Sequence, residues 1–270
     1  VETAMYVTEA AWHGLGTVLE APPTIAEALT AAGLDWTVTK ETLTLPDGRL
    51  VDHYGIVRAT DQRILGVVGP SYSALQNVDA FSVYQPLLET GQVTLEAAGS
   101  LFEGRRVWIL GSIKGAEAEI MPKDPVKGYV LLAHGHDGTF AVRLGFTSVR
   151  VVCQNTLSAA INGPGSQLIR VLHRGDVHSH LEELVTTMDL LRGEFSINAE
   201  KYAQLAKRPI NRKDMRRYVN RVLDAPEDSL TKAAALMMER FATDPTITET
   251  LAGDTWWGAY NAVTAYYTHD

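Results

Sequence analysis

The spacing of apolar positions changes character several times along the chain. Residues 24–33, TIAEALTAAG, repeat at helical spacing, with Thr24 as cap, Glu27 three residues on and Gly33 as terminator, so a short helix is expected. Alternating runs rich in β-branched side chains follow at 36–45, 50–58 and 63–68, divided by turns at Pro46-Asp47-Gly48 and Thr60-Asp61. That order predicts a three-stranded antiparallel meander. Residues 77–90 return to helical spacing. Asn77 is the expected cap, Phe81, Tyr84, Leu87 and Leu88 form one face, Pro86 imposes a kink, and Gly91 ends the helix.

Further strands are expected at 93–98 and 105–113, with a hairpin at 127–134 and 139–146 whose turn holds His136-Asp137-Gly138. Residues 147–161 satisfy both patterns, and a strand running into a helix near Asn155 is the favoured reading. After Gly163-Pro164-Gly165 the pattern is helical at 178–206, 211–223, 229–242 and 255–267. Strands first and helices afterwards predict an α+β chain rather than a doubly wound parallel sheet. The expected organisation is a mixed sheet-and-helix core over residues 1–162, with a β-β-β-α centre. A helical part over 163–270 then packs on the core or on a neighbouring subunit.

Composition narrows the class. A chain of 270 residues that is 46% hydrophobic can bury a large core without a metal or disulfide staple. Cys153 is the single cysteine, so no internal disulfide forms, which fits a reducing compartment. The first residues, VETAMYVTEAAW, have neither the basic start nor the apolar run of a signal peptide. No stretch reaches the roughly 20 apolar residues of a membrane helix, so no membrane partner is expected.

Charge changes the picture more. Residues 200–222 hold eight cations against Glu200 and Asp214, which leaves −14 for the rest of a chain whose net charge is −8. The acidic total alone argues against nucleic acid, but recognition uses patches. In 211–223, Met215, Tyr218, Val219, Val222 and Leu223 make an apolar face. Arg212 and Arg216, and Lys213, Arg217 and Arg221, recur at four-residue spacing on its sides and back, with Lys207 and Arg208 just upstream. A solvated face paired with the acidic remainder is the plain alternative. Eight cations against two anions exceed what local pairing needs, and phosphate contacts use such density because each one releases counterions. An acidic protein partner is attracted equally.

A second basic set lies in the strand region: Arg105 and Arg106 at a strand start, then Lys114, Lys123, Lys127, Arg143 and Arg150. Gln154 and Asn155 add hydrogen-bonding groups, with Asn155 serving equally well as a helix cap. The candidate nucleic-acid-binding residues are therefore Arg105, Arg106, Lys127, Arg143, Arg150, Gln154, Asn155, Lys207, Arg208, Arg212, Lys213, Arg216 and Arg217. Tyr72 and Phe102 offer faces for base stacking, whereas Trp108 reads as core. Trp256, Trp257, Tyr260, Tyr266 and Tyr267 form the apolar seam of a terminal helix.

Catalytic signatures are scarce. The chain has no Walker-type phosphate loop, no GxSxG elbow and no HExxH. Cys153, flanked by Val151 and Val152, reads as buried rather than nucleophilic. His134, His136 and Asp137 come nearest to a metal cluster and carry the metal-dependent-enzyme alternative. A polar hairpin turn is the preferred account of them. His173, His178 and His180 read as linker and helix start.

Three stretches carry a family resemblance: WHGLG at 12–16, SVRVVCQNTLSAA at 148–160 and TWWGAYNAVTAYYTH at 255–269. Together they resemble the phage/plasmid-like protein family, long carried as a domain of unknown function. The resemblance further implies membership of the phage single-strand annealing proteins, which form rings and bind single-stranded DNA in a basic groove beside a β-β-β-α core. On that basis the expected protein is non-enzymatic, needs no cofactor, forms a homo-oligomeric ring in the cytoplasm of a bacterial host and anneals single-stranded DNA during recombination. Arg143, Arg150 and the residues around Gln154 are then the groove candidates. The alternative is an interaction module whose basic helix serves self-assembly or an acidic partner.

Overall fold

Alternation and turn spacing are enough to build the meander, because neighbouring antiparallel strands need only a short link. A computed structural model describes residues 3–8, 14–122, 124–149, 151, 154–162, 167–176, 179, 188–227, 229–248 and 252–269. The first half runs β1 (Thr3–Val7), β2 (Thr17–Leu19), α1 (Ile25–Ala31), β3 (Val38–Thr44), β4 (Leu50–Arg58), β5 (Arg63–Val68), α2 (Asn77–Ser82), α3 (Gln85–Glu89) and β6 (Val93–Leu101). There follow β7 (Arg106–Met121), β8 (Asp124–Gly135), β9 (Val142–Thr147), α4 (Gln154–Asn162) and β10 (Gln167–Val171). The helices α5 (Met188–Ala206), α6 (Arg212–Val222), α7 (Lys232–Thr243), α8 (Pro245–Thr248) and α9 (Trp256–His269) complete the described chain. The class is α+β, with the helices concentrated in the C-terminal part.

The expected meander is the three-stranded sheet β3-β4-β5. The helix expected at 77–90 is two helices, divided next to Pro86, which lacks the amide hydrogen an unbroken helix needs there. Asn77 is not the cap. Gln76 occupies that position, and its side-chain amide bonds both backbone groups of Val38 instead. Thr24 and Glu27 do form the capping box of α1.

The larger sheet has seven strands in the order β10-β9-β8-β7-β6-β1-β2. Three of them, β1, β2 and β10, are absent from the sequence expectations. The long hairpin β7-β8 runs through both compact units of the chain, one built from 1–116 and 128–192, the other from 117–127 and 193–270.

In the first unit one sheet face packs under α4. Tyr6, Trp108, Leu110, Leu131 and Ala133 join Leu157 and Ala160 in one buried cluster. Trp108 is fully buried, as its strand position predicts. The opposite face receives Tyr84, whose hydroxyl donates to the Val130 carbonyl at 3.0 Å, with the Ile109 carbonyl at 3.2 Å. Gly66 in β5 lies against the 136–138 turn so closely that any Cβ would overlap the Asp137 backbone.

The second unit has its own core of Ile210, Met215, Val219, Met237, Ile247, Ala259, Ala262 and Val263. The aromatic seam of α9 packs inside this unit: Trp256 and Tyr266 lie on that core, and Trp257 stacks on Tyr260 at 5.4 Å. Asn211 caps α6 through the Asp214 amide. Gly258, in the TWWG stretch, lets α9 approach the Ala252 carbonyl, where a Cβ has no room.

Candidate nucleic-acid interface

The antiparallel register of β8, β9 and β10 decides where the strand-borne cations meet. Arg143 stands opposite Ala133 on β8 and opposite Arg170 on β10. Directly opposed residues project from the same face, so two guanidinium groups share one side of the sheet. Ala133 belongs to the cluster under α4, which identifies that side. Arg106 precedes Trp108 by two residues in β7 and therefore projects from the same face. Its guanidinium lies over the rings of Phe102 and Phe140 at 5.0 and 4.9 Å.

This arrangement is electrostatically one-sided. The Nε atoms of Arg106 and Arg143 are buried and have no hydrogen-bond partner among the described residues. No carboxylate among the described residues pairs with Arg106, Arg143 or Arg170. The acidity of the Arg143 guanidinium is raised, first by burial and then by the Arg170 charge beside it. Like charges directly opposed across strands destabilise a sheet unless an anion sits between them.

Arg170 also lines a cavity of about 340 Å³, together with Arg174, His53, His173, Tyr72 and Thr139. None of its described lining residues is acidic. Tyr72 stacks on His173 at 4.9 Å and donates its hydroxyl to the Gly135 carbonyl, so it is a wall rather than a free stacking platform.

The histidines expected in a polar turn are in fact buried. His134 and His136 have no exposed surface: alternation along β8 directs His134 to the sheet face opposite α4, and His136, one residue past the strand, is covered by Trp36 and Asn77. Their rings meet edge to face at 4.8 Å, and His136 also meets Trp36 at 5.1 Å. The Asn77 amide nitrogen donates to Leu34, so its oxygen accepts from His136 Nε2 at 3.0 Å. Desolvation holds His136 at a pKa of about 3 and pushes His134 and His173 down as well. These rings are neutral at ordinary pH. Among the described residues no group of three His, Cys, Asp or Glu side chains is arranged to hold a metal ion. Asp137 instead accepts from the Thr139 amide in the turn.

The other predicted residues are dispersed. Arg105 is exposed, and its carbonyl accepts from the His136 amide. Lys127 is exposed on the part of β8 that belongs to the second unit. Arg150, Cys153 and the pair His178 and His180 lie outside the described residues. Gln154 and Asn155 occupy the first turn of α4, so Asn155 is inside the helix rather than its cap. Lys207, Arg208, Arg212 and Lys213 are exposed in the second unit, where Arg217 forms ion pairs with Asp214 and Glu227. Arg216 is partly buried on the same helix.

The family model described as a domain of unknown function, DUF932, matches residues 64–270. The chain belongs to the DUF932 family. No curated protein and no solved structure matches it. The DUF932 match covers Arg106, Arg143, Arg170 and Arg174, as well as two of the three stretches that carry the resemblance, and leaves out WHGLG at 12–16. Arg170 and Arg174 were missed from sequence because QLIRV follows a Gly-Pro-Gly break and precedes a long helical pattern. The available signal was alternation, which sets Arg170 two residues after Leu168 on one face.

Proposed function

We propose that this DUF932 protein binds single-stranded DNA and anneals it as a homo-oligomer, without a nucleotide cofactor. The observation that supports this reading is the row Arg106, Arg143 and Arg170 on one face of one sheet, with no carboxylate among the described residues to balance it. Phosphates along a strand supply the missing anions at regular spacing. Backbone contacts carry no sequence information, so both strands of a duplex are equally good ligands once separated. Neutralising the phosphates lowers the repulsion between strands and leaves the bases to pair.

Fluorescence anisotropy with labelled oligo(dT) tests the reading. Affinity should fall steeply between about 50 and about 200 mM salt, and each arginine changed to glutamine in the row should lower the slope by about 0.7. Salt-independent binding, or none, refutes it. Native mass measurement with and without the oligonucleotide reports assembly in the same experiment.

The exposed cations Arg212, Lys213 and Arg221 on α6 favour a second reading, an interaction module that uses this helix for self-assembly or an acidic partner. Charge reversal at Arg212 and Lys213 separates the two readings. Loss of assembly with DNA binding retained supports the helix as an interface, and the converse supports it as part of the DNA path.

A further inference from the structure

Beside the arginine row lies a half-open recess of about 340 Å³, the size of a small-molecule site. Two guanidiniums, Arg170 and Arg174, line it, and no described lining residue offsets their charge. Thr139 and the imidazoles of His53 and His173 supply further polar groups to the same walls. His173 is 6% exposed, stacks on Tyr72, and has an Nε2 with no hydrogen-bond partner among the described residues. Its Nδ1 faces the Ser73 carbonyl at 3.3 Å and therefore carries the proton, while the Ser73 amide donates to the His173 carbonyl. The imidazole is thus fixed in place at the cavity wall. The Asp137 carboxylate is in electrostatic contact with His173 and already accepts from the Thr139 amide.

Charge matching selects the ligand. An internal phosphodiester carries one negative charge and leaves one of the two guanidiniums uncompensated. A terminal phosphate monoester carries close to two negative charges at neutral pH and three acceptor oxygens, which suits a pair of arginines. Arg170 stands opposite Arg143 and also lines the cavity, so the two basic features adjoin at this residue.

We infer that the Arg170–Arg174 cavity is a terminal-phosphate site, which anchors the phosphorylated end of a single strand lying on the arginine row. The inference rests on the single-strand reading above. It makes strand ends, rather than internal segments, the preferred points of engagement, and it gives the otherwise sequence-neutral surface a way to register where a strand stops.

Anisotropy with three otherwise identical labelled oligonucleotides tests it: one with a 5′-phosphate, one with a 3′-phosphate, and one with hydroxyls at both ends. One phosphorylated oligonucleotide should bind the full-length protein about tenfold tighter than the hydroxyl-ended one, the size of one added charge-assisted contact set. The Arg174→Gln variant should bring that ratio to one, and Arg174→Lys should recover part of it. The ratio is internal to each protein preparation, so a partly unfolded variant does not distort it. Measurable and equal binding of all three oligonucleotides by the wild type overturns the cavity assignment and leaves the single-strand reading standing. A preference that survives Arg174→Gln overturns it too, because the end is then read elsewhere. Binding of none of the three removes the single-strand reading, and the cavity assignment falls with it.

Discussion

Acidification is a direct probe of the buried histidines. His136 has no exposed surface, and its pKa falls from 6.5 to about 3, through desolvation first and then the charges of His173 and Arg58. In the unfolded chain the same imidazole titrates near its ordinary value of about 6.5. Between those two values the unfolded chain binds more protons than the folded one, so stability falls as pH drops below about 6.5 and levels off near pH 3. At about pH 5 the unfolded ring is almost fully protonated while the folded ring is still neutral. The difference amounts to about 1.5 pH units of binding, or roughly 2 kcal/mol. His134 shifts in the same direction, so the fall is larger in the intact cluster. Against a typical total of about 5–15 kcal/mol this is readily measured. Urea unfolding followed by tryptophan fluorescence at about pH 7.5 and about pH 5 gives the loss for the wild type and for His136→Gln. Glutamine retains a donor for the Asn77 oxygen and does not titrate, so its loss should be smaller by about 2 kcal/mol. Equal losses in the two proteins would show that His136 is not held neutral by burial, and the reasoning fails.

Other predictions follow from single contacts. Arg170→Glu places a carboxylate opposite Arg143 and should raise unfolding stability by up to about 1 kcal/mol while weakening strand binding, a trade read by urea unfolding and anisotropy on the same sample. Asn220 is buried and donates from its amide to the Glu227 and Ser229 carbonyls, so Asn220→Ala should cost about 1–3 kcal/mol, measured by urea unfolding. Gly258→Ala forces a methyl group against the Ala252 carbonyl and should destabilise the second unit by about 1–3 kcal/mol, visible as a lowered melting transition. His134→Leu removes two ring nitrogens that lack hydrogen-bond partners among the described residues. It should leave stability at neutral pH unchanged or higher by about 1–3 kcal/mol, and a clear loss in thermal melting refutes that.

Features set by neighbours along the chain were legible before folding. The meander at 38–68 needed only alternation and two short turns, and the break at Pro86 and the caps at Thr24 and Asn211 are properties of single side chains and their local backbone. The same locality let the amphipathic pattern of 211–223 be read as a helix. Tertiary structure decided everything that depends on pairing across long separations. Thr3 meets Ser100, and Gln167 meets Phe146, so β1 and β10 gain their hydrogen-bond partners from segments that nothing in their own short sequences announces. Burial of His134 and His136 was likewise invisible. A polar pair next to a turn reads as exposed until the opposite layer covers it with Trp36 and Asn77. The arginine row shows the division most clearly. Arg106 and Arg143 were legible as cations on strands, but what they face was fixed by the register of β8, β9 and β10, which set Arg170 directly opposite Arg143 and brought no carboxylate among the described residues to either. Register is a property of the assembled sheet, and a shift of one residue would have sent the two side chains to different faces.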